Sequence, residues 1–477
     1  MSTTVATLTG SRAEVSDEDL EGLRTSVRGD VLVPGDPGYD GVRPVYNAMH
    51  PGNPALVVRP TGTADVVDAV NFARDHGLLV AVRGGGHSVA GLSSVDGGML
   101  LDLALMNAVD VDPEARLARV QGGALWGDAD RETQLFGLVA PGGVVSDTSV
   151  AGLTLGGGVG WVRRKHGLSC DNVVSAQIVT ADGQVRSASA SSNPDLYWAL
   201  RGGGGNFGVV TSLTFRLHPL GPTVAFAGVF YPAADAPSVL RGFRDWAATA
   251  PEEITALWGC TTLPAHPALP PELHDTPFVV VGGVFCGGVD EGMAALQPLR
   301  ELGTPLVDIS QPMPFMVVQS AFDPFFGRQA LRSYWKSTYL AELSEQAVDL
   351  VAGKAQSRPS DRTFVVVFLM GGAINRVPAG ETAYSERSAP WMVSIDGNWT
   401  DAAQDGAVIG WVREAWSEVA ALGTGSVYLN FTSLADEATD TAVDRGYGDN
   451  LRRLAEIKAT YDPGNLFRLN NNVAPVG

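Results

Sequence analysis
Lysine is nearly missing from this chain. Of 477 residues and 33 basic side chains, only Lys165, Lys336, Lys354 and Lys458 are lysines, an Arg bias that with the Ala and Gly load fits a GC-rich genome. Acidic residues number 52, and the net charge of −19 leaves too little positive surface to neutralise a phosphate backbone. Nucleic acid is thereby excluded as a partner, and the acidity reads as solubility. Cysteine is equally scarce: Cys170, Cys260 and Cys286 cannot build a disulfide framework, and none stands in a zinc-spaced cluster, so no metal is expected. No apolar run approaches the roughly 18 residues of a membrane span. The opening MSTTVATLTGSRAEVSDEDLEGL lacks the basic and apolar regions of a secretory signal. A cytoplasmic protein without a membrane partner is expected, its oligomeric state left open.

What is present is the texture of a large globular protein, 45% hydrophobic and 18% charged, with length for two or three domains. From Ala55 to Val82 the pattern reads strand, helix, strand, with Thr63-Ala64-Asp65 as helix start and Gly77 as helix stop. Further short elements follow: LARV, a helix around Trp126 to Leu135, and a hairpin AQIVT-ADG-QVRSAS turning at Asp182-Gly183. A short helix from Asp195 to Arg201 leads into GGGGNFG and the strand VVTSLTFRL. Beyond Pro219 to Pro222 longer helices are expected, over Ser238 to Ala250 and Gln329 to Lys354, between strands such as PFVVVGGVF and TFVVVFLMGG. PAHPALPPELHDTP reads as an exposed loop.

Glycine clusters fall at residues 84–86, 156–160 and 202–208. Glycine lets backbone N–H groups converge on an anion, so each loop can cradle phosphate or simply make a tight turn. Gly203, Gly205 and Gly208 match G-x-G-x-x-G but run into a β-branched strand instead of opening a helix, against the Rossmann context. VRGGGHS, with no following Lys-Ser/Thr, is not a P-loop. A non-Rossmann dinucleotide fold is left. Alone, VRGGGHS also permits a metal ligand at His87 or a phosphate hydrogen bond from it.

Four stretches, in order, carry a resemblance: VRGGGHS, PGGVVSDTSVAGLTLGGGVGWVRRKHGLSCDN, PDLYWALRGGGGNFGVVTSLTF and YDPGNLFRLNNNV. Together they resemble the vanillyl-alcohol-oxidase superfamily of FAD-linked oxidases and, within it, the berberine-bridge-enzyme-like group. The resemblance implies an α+β protein. A PCMH-type FAD-binding domain of two subdomains would span 1–217, with its core at about 50–221. A substrate domain with a helix-covered antiparallel sheet would span 218–430, and a C-terminal segment, 431–477, would return to the FAD domain. It implies FAD as cofactor, its pyrophosphate on the loop Arg83, Gly84, Gly85, Gly86, His87 and Ser88, and its 8α-methyl joined covalently to His87. Further cofactor contacts fall on Gly142, Asp147, Thr148, Gly152, Gly156 and Gly157. Val173, Val179, Asn470 and Asn472 complete the set. Relatives with a second, cysteinyl link carry that cysteine eleven residues before the Gly triplet, which here is Val145; Cys170 reads as a small buried residue, and one link is expected. Thr148 matches the position that governs oxygen access.

In many relatives the catalytic base is the second tyrosine of Tyr-x-Asn-Tyr; here the run is Tyr428-Leu429-Asn430-Phe431, and the position five before Trp399 is Ser394. Candidate substitutes are Tyr334 and Tyr428, then Lys336, Tyr384 and Asp396, each with a packing role as the alternative. Phe315, Phe322, Phe325, Phe326 and Trp391 suit an apolar pocket or a core. The function implied is a flavin oxidase acting on a small hydrophobic or secondary-metabolite alcohol, phenol or amine, with dioxygen as acceptor and hydrogen peroxide as product. A ligand-sequestering resistance protein and a dehydrogenase with another acceptor remain the alternatives.

Overall fold
The parallel run of the first half starts from Leu56–Arg59 and Val80–Arg83, joined through the helix Thr63–Asp75, whose Val66, Ala69, Val70 and Ala73 form one buried face. The computed structural model describes residues 2–267, 269–433 and 439–476. Both strands pair parallel with Met99–Asp102, and Asp30–Leu32 closes the four-stranded sheet antiparallel at its edge. VRGGGHS therefore leaves a strand at the C-terminal end of a parallel pair, the edge where such sheets hold ligands.

A second, five-stranded sheet is antiparallel, in the order Val185–Ser189, Val173–Val179, Val209–Arg216, Leu117–Gln121 and Val109–Asp112. The expected hairpin supplies its first two strands. Trp126–Thr133 and Pro194–Leu200 form the two expected short helices.

The eight-stranded antiparallel sheet of the second half has Thr223–Pro232, Phe278–Phe285, Ile254–Thr261, Phe364–Leu369, Trp391–Trp399 and Arg332–Leu340 as successive neighbours. Its strands alternate between two faces. Trp258, Val365, Val393 and Tyr334 pack under the helices Ala236–Ala247, Glu345–Gln356 and Asp405–Ala420, whereas Leu257, Phe364, Val366 and Met392 face the other way. One expectation needs correction: Gln329 to Lys354 is not a single helix. RSYWKSTYL is a strand, paired along its length with Trp391–Trp399, and the helix begins only at Glu345, where the Ser344 hydroxyl accepts from the Ala347 amide at 3.2 Å. Nor is PAHPALPPELHDTP wholly exposed, since Leu269 and Leu273 are buried in it.

The C-terminal helix Leu451–Tyr461 returns to the first half, burying Leu454, Ile457 and Tyr461 among the residues of the five-stranded sheet. The tail after it is fixed by a fully buried ion pair. Lys458 Nζ donates to Asp462 Oδ2 at 2.7 Å, to the Asn206 carbonyl at 2.6 Å and to the Phe467 carbonyl at 2.9 Å. Asp462 in turn accepts from the Leu466 and Phe467 amides at 2.8 and 2.9 Å. With every proton and most lone pairs met, the pair repays its desolvation, but breaking it strands a charge. Lys458→Met is expected to cost about 3–5 kcal/mol in urea unfolding. Adding Asp462→Asn should recover part of that loss; a single variant as stable as the parent would contradict this account.

Candidate functional site
A cavity of about 340 Å³ opens where the three sheets meet. One end is glycine-rich: Gly84 to Ser88, Gly152, Gly156, Gly204, Gly205 and Gly208, closed by Asn470 and Asn471 of the tail. The other is aromatic, with Tyr46, Trp335, Phe322, Phe326, Phe364, Phe368 and Phe431. The glycines of VRGGGHS answer a packing demand: a Cβ on Gly84 would lie 2.3 Å from the Ser149 hydroxyl, and one on Gly85 2.8 Å from the Ser149 amide. Gly86 has φ +75°, which turns the chain so that His87 meets the cavity.

His87 is stacked on Tyr46, ring centroids 4.8 Å apart and planes 20° apart. Its Nε2 lies 3.0 Å from Asp147 Oδ1, an ion-pair distance, although the N–H is not aimed closely enough at the oxygen to count as a hydrogen bond. Arg328 Nε stands 3.9 Å from the other Asp147 oxygen. Burial pushes the Asp147 pKa up, but His87 and Arg328 outweigh it and hold the carboxyl below its ordinary value.

Of the other expected contacts, Thr148, Gly152, Gly156 and Asn470 line the cavity. Six do not. Arg83 supports the loop from behind, its guanidinium on Asp102 at 3.0 Å and on the Val42 carbonyl. Gly142 packs against the Trp126 ring and Gly157 against Tyr384, where a Cβ would come within 2.6 Å of the Tyr384 ring. Val173 and Val179 are core residues of the five-stranded sheet, and Asn472 lies off the lining with a buried, unpartnered Oδ1. Val145 lines the cavity; Cys170 is fully buried away from it, and burial raises its thiol pKa.

The five candidate bases separate cleanly. Tyr334 and Lys336 lie on the helix-covered face of the sheet, Tyr334 near Arg413 and Lys336 4.5 Å from the Trp416 ring centroid. Tyr384 shares a hydrogen bond with Tyr339. Tyr428 reaches the lining, yet its hydroxyl oxygen is taken: it accepts from the amides of Gly158 and Val159 at 3.1 and 3.3 Å and from Asn430 Nδ2 at 2.9 Å. Burial pushes its pKa up to about 12, so it is neither a free base nor an accessible donor. Asp396 remains. It is the one carboxylate among the described lining residues, it accepts a short hydrogen bond from Ser394, and burial pushes its pKa up to about 7. Trp335 and Phe364 stand opposite it in register on the flanking strands.

Strand parity explains what sequence reasoning missed. In RSYWKSTYL, Trp335 is the residue that faces the cavity, one place beyond Tyr334. The same holds for Trp391, Phe315 and Phe325, which are core, while Phe322 and Phe326 line the site. Tyr46 gave no signal in the sequence.

The glycine-rich end suits an FAD. Unpartnered buried oxygens of Ser149, Asn470 and Asn472 surround it, and among the described lining residues no Lys or Arg is present, so an anion there is met by backbone amides. Comparison with known proteins agrees. A family described as FAD binding domain matches residues 54–189, and one described as berberine and berberine like matches 427–474. An FAD-linked oxidoreductase of Bacillus subtilis is 28% identical over 462 residues, covering 95% of this chain and 98% of its own. (R)-6-hydroxynicotine oxidase of Paenarthrobacter nicotinovorans is 30% identical over 476 residues, with 95% and 98% covered. The crystal structure of 6-hydroxy-D-nicotine oxidase from Arthrobacter nicotinovorans superposes with a TM-score of 0.83 at 29% identity, over 94% of this chain and 99% of that one. BBE-like 1 of Physcomitrella patens gives 0.85 at 25%, over 96% and 99%. With a glycine-lined cofactor groove, an aromatic chamber beside it and relatives alike over nearly the whole length, the chain belongs to the berberine-bridge-enzyme-like FAD-linked oxidoreductases.

Proposed function
We propose that this protein is an oxidase whose FAD is joined covalently to His87, and that it takes a hydride from a small apolar alcohol, phenol or amine and passes the electrons to dioxygen, giving hydrogen peroxide. The observation that carries this reading is the junction of a glycine-lined groove with an aromatic chamber that holds one carboxylate. Bound flavin supplies hydride acceptance. The backbone of Gly84 to Ser88, with Thr148, Ser149 and Asn470, holds the cofactor, while Tyr428 and Asn430 brace the GGGVG loop beneath it. Trp335, Phe322, Phe326, Phe364 and Phe368 enclose the substrate and exclude water. Asp396 accepts the proton of the substrate O–H or N–H at the oxygen that Ser394 leaves free.

The same lining favours an apolar substrate over a saccharide. Hydroxyls buried against phenylalanines without partners would lose about 1–3 kcal/mol each. Thr148, small and on the lining, leaves room for dioxygen.

Three results test the reading. Denatured wild-type protein should fluoresce as flavin on a gel, and His87→Ala should not while still binding FAD; fluorescence surviving in that variant would place the link elsewhere. Asp396→Asn should slow flavin reduction by about 10²–10⁴-fold, the usual share of a general base. Because Asp396 acts ionised, kcat/KM should rise with pH through about 7 and level off above it, and the Asn variant should lose that rise. Peroxide formation across a panel of apolar amines, phenols and alcohols identifies the substrate. Flavin that is reduced but reoxidises slowly in air would indicate a dehydrogenase, and tight binding without turnover a sequestering protein.

A further inference from the structure
Neutral imidazole carries a single proton, and the hydrogen bond made by one ring nitrogen decides which nitrogen keeps its lone pair. In His87 only Nε2 has a charged neighbour, Asp147 Oδ1 at 3.0 Å, and both atoms are buried with no other partner. Among the described residues Nδ1 has no hydrogen bond, and His87 lines the cavity. Stacking on Tyr46 limits how the ring turns, so the Asp147 side is the proton side and Nδ1 is the nucleophile. We propose that Asp147 is the positioning residue for cofactor attachment: it holds the Nε2–H tautomer of His87 and stabilises the cation that forms as Nδ1 bonds the flavin 8α-carbon. This inference rests on the reading of His87 as the attachment site.

The step balances as follows. One C–H bond of the 8α-methyl breaks, and its proton leaves to solvent. The Nδ1–C bond forms from the imidazole lone pair, and the two electrons of the broken C–H bond pass into the flavin ring. The imidazole, alkylated at Nδ1 and still protonated at Nε2, is now a cation facing Asp147. Dioxygen takes the two electrons, and with two protons becomes hydrogen peroxide, leaving oxidised, attached flavin. Positive charge therefore appears only during bond formation, beside a carboxylate already held ionised by His87 and Arg328. Asp147 is suited to this because its remaining contact is loose: Arg328 Nε is 3.9 Å away, against 3.0 Å for His87.

The test follows apoprotein reconstituted with FAD in air, scoring bound flavin by absorbance and attached flavin by gel fluorescence after denaturation. Asp147→Asn, which keeps the shape and loses the charge, should bind FAD yet attach it about tenfold more slowly or worse, the scale of one charge-assisted hydrogen bond. Asp147→Glu should restore much of the rate. An Asn variant that attaches flavin at the wild-type rate overturns the proposal. So does one that binds no FAD, or a Glu variant that fails as the Asn variant does, because each marks Asp147 as a structural part of its loop. Wild-type protein without attached flavin would instead overturn the His87 reading itself, so the two failures are distinguishable.

Discussion

Tyr428 joins three parts of the chain that are far apart in sequence. Its hydroxyl accepts from the amides of Gly158 and Val159 in the GGGVG loop. Its own amide donates to Ser337 Oγ at 3.0 Å, and the same hydroxyl returns a bond to the Tyr428 carbonyl at 3.3 Å, so the residue is stitched to the eight-stranded sheet. Its ring stands edge-on to Phe431 at 4.9 Å, inside the aromatic chamber. A hydroxyl serving two backbone amides on a buried loop is expensive to replace, since its loss leaves two donors unmet at about 1–3 kcal/mol each. The glycine loop can approach the sheet closely only because this phenol satisfies it, and the cavity between them takes its width from that contact. The short buried bond from Tyr384 to Tyr339, with Tyr384 packed on Gly157, repeats the arrangement one turn further out.

The sequence made the first half of the molecule readable because its signals are local. A strand, a capped helix and a second strand announce themselves between Ala55 and Val82, and Asp182-Gly183 marks a hairpin; each element forms where its own residues ask for it. The segment from Gln329 to Lys354 shows where such reading fails. Its charged and polar residues admit a helix, but Ser333, Ser337 and Tyr339 point to one face of a strand and Tyr334 to the other, a choice fixed by nine residues of pairing with Trp391–Trp399. Parity then decides chemistry. Tyr334, the more reactive residue on paper, belongs to the helix-covered core, and Trp335 beside it faces the cavity. Tyr46 entered the site from a loop without periodicity, and Arg163, fully buried with its guanidinium on the carbonyls of Gly160, Ala256 and Leu369, serves as a peg between halves that no motif announced.

A carboxylate pushed out of its ordinary pKa range does not by itself mark chemistry. Asp130 is fully buried, one of its oxygens has no partner, and burial raises its pKa far more than that of Asp396. It sits in a helix beneath the five-stranded sheet, faces no cavity, and so has nothing to act on. What sets Asp396 apart is access: one oxygen is held by Ser394 and the other is left to a chamber large enough for a ligand. Asp147 is the opposite case, a carboxyl whose pKa is lowered because cations surround it. Environments that push two carboxyls in opposite directions divide labour between them. In the reading proposed above, the one near 7 exchanges a proton with substrate at neutral pH, and the one held low keeps its charge fixed beside His87. A single cavity thus provides a proton acceptor at its aromatic end and a permanent negative charge at its glycine end, with apolar walls between that keep water from levelling the difference.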